Sequence, residues 1–83
     1  MKILYFAWLR ERLNRGEEDV SPPAEVATVA DLIDWLAAPD EAFALAVEKR
    51  SLIKAAVDAK LVPANASIAG AQVVALFPPM TGG

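Results

Sequence analysis

The residues best suited to chemistry lie at the end of the sequence, where a run of apolar residues is followed by Pro78-Pro79-Met80-Thr81-Gly82-Gly83. Two prolines cannot donate strand hydrogen bonds and favour an extended, polyproline-like backbone that points away from the body. Six extended residues reach at most ~20 Å, and two glycines without Cβ atoms make a tip thin enough for a narrow channel. The sequence therefore predicts a projecting tail with Gly83 at its tip.

The α-carboxylate of Gly83 is the only reactive group expected at this tip. A carboxylate is a poor acyl donor, but an acyl-adenylate is reactive, and attack by sulfide on it gives a thiocarboxylate. The chain contains no cysteine and no histidine, which removes thiol nucleophiles, Ser-His-Asp triads and the usual zinc sites. We therefore expect a carrier with no metal site, whose general bases and nucleophiles reside on partner proteins.

Composition indicates one small packed domain. The 83 residues are 55% hydrophobic with a mean hydropathy of +0.34, and without cysteines the fold must depend on its core alone. The net charge is −3, the pI is about 4.7 and the basic residues are dispersed, which argues against a nucleic-acid partner. No apolar run approaches the ~20 residues of a membrane-spanning helix, and we expect a cytoplasmic protein without a membrane partner.

The first part of the chain predicts two strands. Residues 2–8 are apolar on both faces, which is typical of a central strand. A short charged helical turn follows, and Gly16 is expected to end it. Residues 17–21 then predict a polar strand that returns antiparallel to the first.

The middle of the chain predicts the helices. Thr28 and Asp31 have the spacing of a capping box, and Pro39 is expected to end the helix that follows. Asp40 can cap a second helical segment over residues 41–50. The main helix carries one apolar stripe that must cover a sheet, formed by Val29, Leu32, Ile33 and Leu36.

The last part predicts three more strands, over residues 52–57, 61–62 and 72–77, with a turn at Asp58-Ala59. The final strand is apolar on both faces, so we expect it beside and parallel to the first, at the centre of the sheet. This order predicts an α+β protein of the β-grasp (ubiquitin-like) fold, with one main helix packed across a mixed sheet. Residues 1–77 form the domain and residues 78–83 the tail.

The whole chain resembles the small subunits of molybdopterin synthase, the MoaD-type sulfur carriers of the ubiquitin-like superfamily. The matching residues are 5–7 (Tyr-Phe-Ala) and 9–11 (Leu-Arg-Glu) near the start, and 76–83 (Leu-Phe-Pro-Pro-Met-Thr-Gly-Gly) at the end. The terminal Phe-Pro-Pro-x-x-Gly-Gly pattern is the specific one. Asp58 stands at a hairpin position where the family often has asparagine.

The resemblance implies that an ATP-dependent, ubiquitin-activating-type enzyme adenylates Gly83, and that a sulfur-donating protein supplies the sulfur of a thiocarboxylate. ATP is used by that enzyme, and no cofactor is expected on this chain. The tail then enters the large subunit of molybdopterin synthase, which carries the catalytic side chains, and gives sulfur to precursor Z to form the dithiolene of molybdopterin. The complex is expected to hold two copies of each subunit. The partner-binding residues of the tail are expected to be Phe77, Pro78, Pro79, Met80, Thr81 and Gly82.

Three alternatives remain open at the level of sequence. Sulfur carriers for thiamine synthesis also end in Gly-Gly, although they are usually shorter and lack Phe-Pro-Pro. A ubiquitin-like protein modifier would instead join Gly83 to target lysines by an isopeptide bond. An ordinary interaction module would use neither reaction, and Phe77 would then be a core residue only.

Overall fold

The computed structural model describes residues 1–79, which form a five-stranded mixed sheet with helices on one face. The strands are β1 (Lys2–Tyr5), β2 (Glu17–Asp19), β3 (Lys54–Val57), β4 (Lys60–Val62) and β5 (Val73–Phe77). The helices are α1 (Ala7–Leu13), α2 (Val29–Ala37) and α3 (Glu41–Ala46), and a 3-10 turn covers Arg50–Leu52.

The strand order β2-β1-β5-β3-β4 confirms the predicted topology. β5 pairs in parallel with β1 and antiparallel with β3, so the last strand of the chain lies at the centre of the sheet. β2 pairs antiparallel with β1 and forms one edge, while β4 forms the other. The mixed sheet, with α2 across it, is the β-grasp fold that the sequence predicts.

The core lies between the helices and one face of the sheet. Alternate residues of the central strands are buried, as the period of two requires, and the predicted apolar stripe of α2 packs on them. The largest fully buried side chains, each contributing roughly 1.5–3 kcal/mol of burial free energy, include Tyr5, Phe43, Ile3, Leu9, Leu32 and Leu76.

The first strand is shorter than the sequence predicts. Its hydrogen-bonded part ends at Tyr5, and α1 already includes Trp8, so the expected strand over residues 2–8 was wrong for residues 6–8. Ala7 has a φ of 55°, which turns the chain sharply out of the strand. The helix is favoured because it buries Leu9 and Leu13, four residues apart on one face.

The predicted start of α2 is confirmed, whereas the predicted end of α1 was wrong. The capping box of Thr28 and Asp31 is present, with both reciprocal hydrogen bonds at 3.1–3.2 Å. α1, however, ends at a left-handed Asn14, not at Gly16. The Gly16 carbonyl instead accepts a hydrogen bond from the Tyr5 N–H, at 2.9 Å.

The second predicted helical segment, 41–50, is cut short. α3 ends at Ala46, and residues 50–52 form the 3-10 turn, which delays the start of β3 to Lys54. The Arg50 guanidinium donates to the Val47 carbonyl at 2.9 Å and to Asp34 at 2.7 Å, so its bonds lie with the chain before it and with α2. These contacts depend on the tertiary fold, so no local sequence pattern marks the early end of α3.

Asp58 fastens the β3–β4 turn to the start of β5. Asp58 and Ala59 have φ values of 47° and 71°, which is the left-handed pair of a tight hairpin turn, as predicted. The Asp58 carboxylate accepts hydrogen bonds from the backbone N–H groups of Gln72 and Val73, both at 3.0 Å. Its own N–H donates to the Val73 carbonyl at 2.8 Å.

Replacing Asp58 by alanine is expected to lower the free energy of unfolding by about 1–3 kcal/mol, because two backbone donors lose their acceptor. Asp58→Asn is the matched control, since its amide oxygen can accept one or both bonds and asparagine tolerates positive φ. Urea unfolding measures both variants. Equal losses for the two substitutions would contradict this role.

Charged side chains join β1, β2 and α3. The Tyr5 hydroxyl donates to Glu18 at 2.8 Å, and Arg15 donates to Glu18 and, at 3.4 Å, to Asp40. Burial, followed by the hydrogen bond to Glu18, raises the pKa of Tyr5 above its ordinary value. The Phe43 N–H, followed by Arg15, lowers the pKa of Asp40, which caps α3.

The lowered pKa of Asp40 predicts an acid-dependent loss of stability. Its stabilising contribution is complete above the unfolded pKa of about 3.9 and is lost as the pH falls through the lower folded value. The difference in unfolding free energy between wild type and Asp40→Asn should therefore be constant near neutrality and shrink in acid. Urea unfolding over a pH series measures it, and a difference independent of pH would contradict the assignment.

Candidate functional site at the base of the tail

The predicted tail leaves the sheet from the end of β5. Phe77 is the last residue of that strand and lies in register with Lys54 of β3. The Phe6 N–H donates to the Leu76 carbonyl at 3.2 Å, so the pairing of the two central strands continues one residue beyond β1. The base of the tail is therefore held on both sides.

The structure describes only part of the predicted tail. Pro78 is buried and Pro79 is half-buried, and neither can donate to a neighbouring strand, so strand pairing cannot continue through them. The remaining predicted site residues lie outside the described residues, and their roles stay predictions; they are Met80, Thr81, Gly82 and Gly83.

One face of the sheet carries no helix. The register places Leu4 of β1, Ala75 of β5, Ala56 of β3 and Leu61 of β4 in one row across it. Phe77 lies on the same face as Ala75, two residues further along β5. None of these five side chains belongs to the core. We call them the open sheet face.

Beside the base of the tail, the open sheet face borders a groove at the edge of the sheet, which Val29 and Ala55 of the core side also line. This groove has a volume of about 770 Å³, and Phe77, Pro79 and Leu61 contribute to its apolar lining. Arg50 and Lys54 also line it. Leu61 is 75% exposed and lies beside Phe77 and Pro79 in this lining, so the apolar residues here form a group at the surface.

The sequence predicted only some of the residues that form the open sheet face and the groove beside it. Phe77 lies where it was predicted, half-buried at the tail base, but the sequence analysis assigned no role to Phe6, Lys54 or Leu61. Phe6 is 46% exposed beside the end of β5. An alternating strand pattern with a leucine on an edge is the only sequence signal that could have found Leu61. Arg10 is exposed on α1, in agreement with a solvated helical turn.

Two properties of residues 1–79 bear on chemistry by the body itself: the grouping of potential metal ligands and the positions of shifted pKa values. No cluster of three or more potential metal-ligating side chains occurs among them. The shifted pKa values of Tyr5, Arg15 and Asp40 all belong to the network on the helix side of the sheet. The same part of the chain contains no helix long and apolar enough to cross a membrane.

Comparisons with known proteins agree with this geometry. The ThiS family model matches residues 3–83. The chain is 37% identical to the molybdopterin synthase sulfur carrier subunit of Escherichia coli K12 and 31% identical to that of Haemophilus influenzae, in each case over the whole chain and 99% of the relative. The crystal structure of SAMP1 from Haloferax volcanii superimposes with a TM-score of 0.73 at 27% identity, covering 100% of this chain and 98% of SAMP1.

These relatives agree in length, fold and sequence with the chain from its first strand to its last residues. A family model that spans residues 3–83 includes the sheet, the tail base and the terminal glycines alike. The chain therefore belongs to the ThiS family.

Proposed function

We propose that this protein is the sulfur carrier subunit of a molybdopterin synthase. The observation that carries the proposal is the match over the full chain to relatives that bear this name, at up to 37% identity. The fold supports it, because the last strand lies at the centre of the sheet and ends at two prolines that cannot continue strand pairing, so the tail begins there. The body presents the tail, and the chemistry takes place at its tip.

The proposed reaction begins and ends with the Gly83 carboxylate. A carboxylate oxygen attacks the α-phosphorus of ATP, and pyrophosphate leaves. Sulfide from a sulfur-donating protein then attacks the acyl carbon, and AMP leaves, which gives the thiocarboxylate. Its sulfur attacks an electrophilic carbon of precursor Z, a carbon–oxygen bond at that carbon breaks with its electron pair going to oxygen, and a thioester results. Water then cleaves the acyl–sulfur bond. Sulfur stays on the precursor, the carboxylate returns, and a dithiolene requires two such transfers.

Every one of these steps needs side chains that the partners supply. The adenylating enzyme must bind ATP, and the large subunit must enclose the tail and activate water. The open sheet face and its groove are the surface on which such partners would dock, since Leu61, Phe77 and Phe6 are apolar and lie beside the tail base. In protein interfaces a few well-packed anchor residues near the centre carry most of the affinity. Lys54, which also lines the groove, favours a carboxylate on the opposing rim.

Thiocarboxylate formation is tested by the mass of the intact protein. After incubation with ATP, the adenylating enzyme and a sulfur source, the chain should become about 16 Da heavier, because one oxygen is replaced by sulfur. A variant with one residue added after Gly83 should keep its mass. An unchanged wild-type mass with an adenylating enzyme that is active on another substrate would reject the proposal.

The alternative functions predict different experimental results. A protein modifier would produce a series of heavier covalent species in a lysate, detected by immunoblot, whereas a carrier would not. A thiamine-pathway carrier would be thiocarboxylated but would not restore molybdopterin synthesis with the large subunit. An ordinary interaction module would tolerate the added residue without loss of function.

Leu61→Glu is expected to weaken binding to the large subunit at least tenfold, because a carboxylate replaces an apolar anchor on the open sheet face. Leu45→Glu is the matched control: Leu45 is 68% exposed but lies on α3, on the opposite side of the sheet. Titration calorimetry measures both affinities, with circular dichroism to verify folding. If the two variants bound equally well, the open sheet face would not be the docking surface.

A further inference from the structure

A second apolar surface lies on the helix side of the protein. Residues 1–79 contain four exposed large hydrophobic side chains, of which Phe6 and Leu61 lie near the tail base. The other two, Leu45 at 68% and Leu52 at 40% exposure, line a groove of about 700 Å³ together with Trp8. The sheet separates this groove from the open sheet face, so the proposed sulfur transfer does not account for it.

Charges of both signs surround these apolar residues. Arg12 lies over the Trp8 ring, with its Cζ 4.7 Å from the ring centroid, and Glu48 and Lys49 line the same groove. Within residues 1–79, none of these three charged side chains forms an ion pair. Stacking on Trp8 holds the Arg12 guanidinium in place, which lowers the entropy cost of a further contact.

We propose that this groove is a self-association surface, and that its occupant is the same groove of a second copy of this chain. The groove runs between α1, which carries Trp8 and Arg12, and α3 with the residues after it, which carry Leu45 and Glu48. A two-fold axis along the groove places α1 of one copy over the α3 side of the other. Arg12 then meets Glu48 of the second copy, and the apolar residues meet at the centre.

Charge complementarity favours a second copy over an unrelated partner. A two-fold contact needs a surface that complements itself, with both signs of charge on opposite sides of the axis. Arg12 lies on α1 and Glu48 follows α3, so the two opposite charges line the groove from different elements and meet this need. The resulting dimer leaves the open sheet face and the tail base of both copies exposed, so association and partner binding are compatible.

Sedimentation velocity of the full chain from about 10 µM to about 1 mM tests the proposal. Wild type should show a reversible monomer–dimer equilibrium, and Leu45→Glu should weaken it at least tenfold. Leu61→Glu is the matched control, because it adds the same charge to an equally exposed leucine on the other face. A wild-type chain that stays monomeric throughout, or equal effects of the two variants, would overturn the proposal.

A charge exchange tests the Arg12–Glu48 contact itself. Arg12→Glu and Glu48→Arg should each weaken self-association several-fold, since each places like charges together across the axis. An equimolar mixture of the two variants should form a heterodimer with opposite charges at both of its 12–48 contacts, more tightly than either variant alone. Failure of the mixture to associate more tightly would refute this pairing. The assay does not depend on thiocarboxylation, so its outcome is independent of the proposed function.

Discussion

The parallel pairing of β1 with β5 is the constraint on which the rest of the structure depends. It places the last strand between two others, with Leu76 in register with Tyr5 on one side and Ala55 on the other. A strand held by hydrogen bonds on both edges and by core packing cannot detach without disrupting the sheet. The tail therefore begins at a strand that is fixed along both of its edges.

The separation of body and tip has a physical rationale. The proposed intermediates, an acyl-adenylate and a thiocarboxylate, are reactive acyl groups that must reach the interior of more than one partner. Side chains near such a group would block entry or react with it, and two glycines avoid both problems. In the proposed reaction the partners supply the catalytic groups, and the body is an ordinary packed domain, held by its core and by the Asp58 and Asp40 contacts.

The two faces of the molecule divide their roles between them. The open sheet face carries apolar residues next to the tail base, where a partner must hold the carrier while it reaches the tip. The helix side carries a second apolar groove with charges of both signs. Helices cover only one face of a five-stranded sheet in a chain of this size, so the other face must remain available to solvent or to partners.

The sequence determined the element types, the capping of α2 and α3, the hairpin turn at Asp58-Ala59 and the central, parallel position of the last strand. These follow from local hydrogen bonding and from apolar periodicity, which act over a few residues. It also pointed to Phe77 and the residues after it as the site.

Only the tertiary structure decided the element ends and the rest of the site. Because a helix buries Leu9 and Leu13, Trp8 lies in α1 and not in β1. The early end of α3 is accompanied by hydrogen bonds from Arg50 to the Val47 carbonyl and to Asp34 of α2. Leu61 becomes part of a surface with Phe77 through strand register alone. Contacts between residues distant in the chain select such features, and one sequence carries no local signal of them.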